Sequence, residues 1–164
     1  MDNAITDLLD ALIPNLESLF SDIRFWMGVI MVLGPVLLLL HGGYYLYLAP
    51  KEANHKAGYR TYFGMGSVQA WQYSQRLAGL VFGIAGGVLA LVAIVGCIIM
   101  SGKETAEAVT PALVIVIIEA VVTLGAYGFV EVMIAKHYDA AGNLRVGSSE
   151  RVRTGKADSQ SLPE

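Results

Sequence analysis

The sequence predicts an all-α membrane protein, a bundle of three transmembrane helices preceded by an amphipathic interfacial helix. Three observations carry this. Hydrophobic residues make up 55% of the 164, and the mean hydropathy is +0.56, more apolar than a domain needing a solvated surface allows. Three apolar runs, residues 26–48, 77–100 and 110–134, each reach the ~20 residues that cross the hydrocarbon at about 1.5 Å per residue. Lys and Arg, finally, crowd the flanks on one side of those runs.

In chain order, residues 1–25 form the predicted amphipathic segment. Ile5, Leu8, Leu9, Leu12, Ile13, Leu16, Leu19, Phe20 and Ile23 recur three or four residues apart, opposite Asp7, Asp10, Glu17 and Asp22. Such a helix either lies in the membrane interface or packs on the outer ends of the spans, and Pro14 is placed to kink it. It lacks the basic start and small-residue cleavage site of a signal peptide. Residues 26–138 form the membrane domain. Its first span runs from Trp26 to Tyr44, Tyr45 and Tyr47, rings that suit headgroup depth at either end, with Gly34-Pro35 expected to bend it near the middle. The second carries Gly79, Gly83 and Gly87, with Gly86 and Ala90 as a second small pair. This spacing lets another helix approach, either within the chain or in a homo-oligomer through span two. Thr110 and Pro111 are expected to start the third helix, with Pro111 in its first turn. Residues 139–164 lack apolar periodicity and read as a flexible tail.

Orientation follows from the basic residues. Lys51, Lys56, Arg60 and Arg76 lie between spans one and two, and Lys136, Arg145, Arg151, Arg153 and Lys156 follow span three; only Arg24 and Lys103 lie on the other side. The positive-inside rule then puts segment 49–76 and the tail in the cytoplasm, N-out and C-in.

Few residues within the spans can carry chemistry. Glu119 lies mid-helix, where a carboxylate costs several kcal/mol unless it faces protein, water or a cation. It reads either as a protonatable group in a transport path or as a neutral acid bonded to a neighbouring helix. His41 and Glu131 are the other intramembrane ionisable residues, both toward the cytoplasmic ends of their helices. Arg60 is placed to pair with Glu131 or to snorkel to the headgroups. The lone Cys97 reads as a small buried hydrophobe. There is no Gly-x-Ser-x-Gly elbow, no His-Glu-x-x-His pair and no phosphate-cradling loop. The expectation is therefore a protein that is not an enzyme, with no metal or other cofactor. The basic residues hug span ends, so the bilayer rather than nucleic acid is the expected partner.

The stretch 57–77 is unusual for a linker, with Arg60 and Arg76 among five aromatic residues and three glycines. Gly58-Tyr59-Arg60-Thr61, followed by Met65, Trp71 and Gln75-Arg76-Leu77-Ala78-Gly79, resembles the SdpI family of bacterial membrane proteins. That family has a Gly-Tyr-Arg-Thr motif, a Ser-Met pair and a Trp ahead of its next span. Gly64 stands here where the family has the serine, and the namesake has additional spans. The resemblance implies a multi-pass protein of the bacterial plasma (inner) membrane, of the immunity or signal-receptor type. Its partners would be a toxic peptide outside or a cytoplasmic regulator inside, with Gly58, Tyr59, Arg60, Thr61, Met65 and Trp71 as partner-binding candidates. Ser67 is expected to cap the helix that runs through Trp71 into span two. The competing reading is a transport or permeability component using Glu119 as a proton or cation site.

Overall fold

The computed structural model describes residues 22–54 and 56–145, so the predicted amphipathic segment up to residue 21 and the tail beyond 145 lie outside the described residues. Three helices form the bundle: α1 (Ile23–Gly43), α2 (Val68–Ser101) and α3 (Thr105–His137). A π-helical turn, Tyr44–Leu48, extends α1. Each helix is long and apolar enough to span a membrane. Large apolar side chains that a soluble protein would bury, among them Ile84, Leu91, Ile98, Ile117 and Leu124, point outward. Lipid is the solvent of that surface, so the outward faces are apolar and the small residues go between helices.

Each helix boundary has a local cause. Asp22 caps α1, its carboxylate accepting the Arg24 N–H at 2.9 Å and pairing with the Arg24 guanidinium at 2.9 Å. The Arg24 hydrogen bonds hold this carboxyl below the usual range. Ser67 caps α2 as expected, its Oγ accepting the Ala70 N–H at 3.1 Å. The start of α3 differs from expectation. The helix begins at Thr105, with Glu107 and Ala108 both donating backbone N–H to the Glu104 carbonyl, and Pro111 lies inside it. Pro111 has no N–H to offer the carbonyl four residues back, that of Glu107, but Glu107 is exposed at the helix end, where water can take the bond.

α2 is the central element, packing along both α1 and α3. Its buried positions Gly79, Phe82, Gly86, Leu89, Ala93, Gly96 and Met100 alternate at spacings of three and four, the seam of coiled-coil-like packing. Of the expected Gly79, Gly83, Gly87 packing face, Gly79 and Gly83 meet α1 at Gly42 and Gly87 does not. Gly79 does pack, a Cβ there falling 2.6 Å from Leu46 Cγ and 3.0 Å from the Gly42 carbonyl. Gly83 offers its backbone to Gly42, where an added Cβ would come within 2.6 Å of the Gly83 nitrogen. The Cβ positions of Gly83 and Gly87, however, open onto empty space. Gly86, of the second small pair, is a further close approach, where a Cβ would fall 2.8 Å from the Leu39 nitrogen and 3.1 Å from the Pro35 carbonyl. A four-residue repeat drifts around a helix, whereas alternating threes and fours stay on one face.

Two apolar clusters divide the interior. One, toward the motif segment, holds Leu38, Tyr59, Ala78, Phe82, Leu89, Ala126, Val130 and Ile134. The other, at the opposite end, holds Met31, Ala93, Met100, Ala108 and Ala112. Glu119 falls between them, seven residues from both Ala112 and Ala126 on the buried face of α3.

The packing predicts a contrast within α2 and its partner. Gly42→Ala and Gly86→Ala force backbones apart and should each cost roughly 1–3 kcal/mol, read as a lower unfolding temperature in detergent. Gly83→Ala and Gly87→Ala should be neutral or stabilising by up to about 1 kcal/mol, because alanine is the better helix former. Equal losses at Gly86 and Gly87 would contradict this seam and point to a partner helix on the open face.

Candidate functional site

The segment between α1 and α2 folds back into the bundle. Gly58 adopts φ +99°, where a Cβ is strained, and it lies flat on the indole of Trp71. A Cβ would stand 2.5 Å from Trp71 Cζ2, so both the turn and the contact require glycine. Trp71 is fully buried, and its indole N–H donates to the Pro50 carbonyl at 2.7 Å. Gln72 Nε2 donates to the Lys51 carbonyl beside it. The first turn of α2 thereby ties down the start of the loop and its turn at Gly58.

Tyr59 is held at both ends. Its backbone N–H donates to Gln75 Oε1 at 2.7 Å and its carbonyl accepts from Gln75 Nε2 at 2.8 Å. The side-chain amide thus acts as a strand-like partner for one residue, buried where an unpaired backbone group would cost roughly 1–3 kcal/mol. Its ring lies against Tyr45 (5.6 Å between centroids), Phe82 (5.6 Å) and Tyr127 (6.1 Å), so it touches the α1 extension, α2 and α3. Its hydroxyl donates to Glu131 Oε1 at 3.1 Å. Desolvation, with the nearby Glu131 charge adding to it, pushes the phenol well above its ordinary pKa.

Residues 59–62 alternate in and out: Tyr59 and Thr61 are buried, Arg60 and Tyr62 exposed. Thr61 Oγ1 accepts the Gly64 N–H at 2.8 Å and closes a turn. Gly64 presses on that hydroxyl and on Ser74, and a Cβ there would fall 2.5 Å from Thr61 Oγ1. Met65 is half-buried within the same turn.

The beginning of the tail joins this structure. Tyr138 and Leu144 form an antiparallel bridge, with Gly142 at φ +76°. Asp139 Oδ1 accepts the N–H groups of Asn143 (2.8 Å) and Ala141 (3.0 Å), and the Asn143 bond chiefly holds its carboxyl below the usual range. Ser67 Oγ donates to the Gly142 carbonyl at 2.7 Å, and the Arg145 guanidinium sits 5.8 Å from the Phe63 ring centroid. Residues 139–145 are therefore a built turn rather than the first part of a flexible tail, because side-chain acceptors satisfy their backbone.

The predicted site residues separate into three places. Gly58, Tyr59, Thr61, Met65 and Trp71 form the folded motif, and Glu131 belongs with them through Tyr59. The anticipated Arg60–Glu131 pair is absent from the ion pairs among the described residues; the alternation that buries Tyr59 turns Arg60 outward and gives Glu131 to the tyrosine hydroxyl. His41 is exposed on α1, its Nδ1–H donating to the Leu37 carbonyl at 2.7 Å, and it shares a surface cleft with Arg60 and Lys56. Glu119 stands apart in the bundle, 5% exposed. Its Oε1 has no hydrogen-bond partner among the described residues, and the Cβ position of Gly34 lies 3.7 Å from Oε2. Gln75 is the residue that sequence reasoning missed. Its signal was a lone polar residue on the stripe Trp71, Gln75, Ala78, Phe82.

A double-mutant cycle tests the assignment of Glu131. Tyr59→Phe and Glu131→Gln should each destabilise the protein, and together they should cost less than their sum by roughly 1 kcal/mol or more, as bonded partners do. Arg60→Ala and Glu131→Gln should be additive within about 0.5 kcal/mol. The reverse pattern would restore the arginine pair.

A family model described as the SdpI/YfhL protein family matches residues 51–128, which span the motif segment, all of α2 and most of α3. No curated protein and no solved structure matches the chain. The matched region contains Gly58 to Thr61, Trp71, Gln75 and Glu119, the residues that build the motif fold and the buried carboxylate. With three helices among the described residues long and apolar enough to cross a membrane, the chain is a multi-pass membrane protein that is similar to the SdpI/YfhL family over residues 51–128.

Proposed function

We propose that this protein is a non-enzymatic receptor of the bacterial plasma membrane, of the immunity or signal-receptor type, that binds a peptide or protein partner. The basic flanks favour an N-out, C-in orientation, with the motif segment in the cytoplasm. The observation that carries the reading is a cleft at the other end of the bundle, where all three helices meet. It has a volume of about 300 Å³ and is lined by Asp22, Arg24, Phe25, Cys97, Ser101 and Ala108 among others. That volume is at the low end of ligand pockets, roughly 300–1,000 Å³. Its mixture of a charged pair and an apolar floor suits one or two side chains of an amphipathic peptide. The motif segment would serve as the inner, partner-facing element, held in register with the bundle by Gln75 and Tyr59.

A second reading rests on Glu119. A buried carboxyl oxygen with no partner is costly, and a transport component would use it as a proton or cation site.

The two readings separate in one set of experiments. Under the receptor reading, expression protects cells sensitive to a membrane-active peptide. Ser101→Trp, which blocks the cleft from an exposed position, abolishes protection at unchanged abundance, and Glu119→Gln leaves protection intact. In the same cells, a cysteine placed at residue 104 is labelled from outside and one at residue 52 is not. Under the transport reading, reconstituted vesicles show pH-dependent flux that Glu119→Gln removes. Protection unaffected by Ser101→Trp would sink the cleft assignment.

A further inference from the structure

The cleft at the motif end is built differently from the one at the other end. It has a volume of about 450 Å³ and is lined by Leu37, Leu40, His41, Tyr44, Lys56 and Arg60, with Tyr45 and the backbone of residues 57–58 completing it. Its polar half carries two permanent cations and an imidazole, and among the described residues no carboxylate lines it. Its apolar half is the outward face of α1, where Leu37 and Leu40 are 45% and 64% exposed. Tyr44 and Tyr45 lie between the two halves, at the end of the span where amphipathic rings mark the headgroup layer.

The cations are held there by the fold. Asn54 Oδ1 accepts the N–H groups of Lys56 (2.9 Å) and Ala57 (2.8 Å), closing a turn that places Lys56. The Gln75 clamp and the burial of Tyr59 turn Arg60 to the outer surface. His41 is oriented by its Nδ1–H bond to the Leu37 carbonyl, and its Nε2 donates to a phosphate when the ring carries its second proton. A polar, cationic end continuous with an apolar, lipid-facing end matches the two ends of a phospholipid. A free anion would engage only the first.

We propose that this cleft is a binding site for an anionic phospholipid, with the headgroup phosphate between Lys56, Arg60 and His41 and an acyl chain along Leu37 and Leu40. Basic pockets at the ends of spanning helices hold such headgroups, and each basic residue near an anionic surface is worth about fivefold in affinity. The site uses neither the opposite cleft nor Glu119, and it shares Arg60 with the motif segment proposed to face an inner partner.

The test titrates the full-length protein in neutral detergent with phosphatidylglycerol or phosphatidylcholine and counts bound lipid by native mass spectrometry. The expected result is a preference for phosphatidylglycerol of about tenfold or more that Lys56→Ala/Arg60→Ala removes. Lys56→Gln alone, a mild change at an exposed position, should lower it about fivefold and covers the case in which the double variant does not fold. Lys51→Ala/Lys136→Ala, the same charge loss away from the cleft, should leave the preference in place. Equal binding of the two lipids, a preference unchanged in the cleft variants, or an equal loss in the Lys51/Lys136 control would overturn the proposal. Displacement of the lipid by inorganic phosphate at equal concentration would also overturn it, reassigning the cleft to a free anion.

Discussion

One side chain, Gln75, satisfies both backbone groups of Tyr59, and the architecture at this end of the bundle depends on that. With the N–H and C=O of Tyr59 paired at 2.7 and 2.8 Å, the loop can enter an apolar interior without leaving orphaned polar groups. The ring of Tyr59 then joins the cluster of Phe82, Val130 and Ile134, and its hydroxyl finds Glu131 on α3. From this follow the outward turn of Arg60 and the need for a left-handed glycine at position 58, against Trp71. A connecting loop is ordinarily at the surface because it cannot pair its backbone elsewhere. Tyr59 of this one is interior because α2 carries a glutamine where its stripe would otherwise be apolar.

The bilayer imposes the other main constraint. Lipid tails are as apolar as the side chains of the bundle, so helix association rests on close packing and on interhelical hydrogen bonds rather than on removal of apolar surface from water. Gly42 against Gly83 and Gly86 against Leu39 supply close approach between α1 and α2. Tyr59 to Glu131 supplies a polar tie to α3 at the membrane end. Glu119 meets neither demand, being buried on the packing seam with one oxygen that has no hydrogen-bond partner among the described residues. That contrast sets it apart from the rest of the interior.

The three spans were legible because a run of some twenty apolar residues has few other uses, and the Ser67 cap because its spacing to Ala70 is local. The motif residues were legible only as a group, through their resemblance to the family. Their geometry was not, because the bonds that define it join residues 16, 21 and 72 apart in the chain. The glycine face was legible in part. Gly79, Gly83 and Gly86 do meet α1, but Gly87 does not, because the buried seam mixes Gly79, Phe82, Gly86, Leu89 and Ala93 and is recognised only by its period. The turn at 139–145 was invisible as structure, since polar residues without periodicity read as tail until Ser67 and Phe63 are placed against them.

The receptor reading, the lipid cleft and the placement of Arg60 all require the motif segment to be an integral, folded part of the bundle. Amide hydrogen exchange in lipid nanodiscs measures this directly. The Tyr59 and Gly64 amides, bonded to Gln75 and Thr61, should exchange orders of magnitude more slowly than an open chain, with protection comparable to the first turns of α2. Exchange of both at open-chain rates while α2 stays protected would show a detached loop and contradict the account.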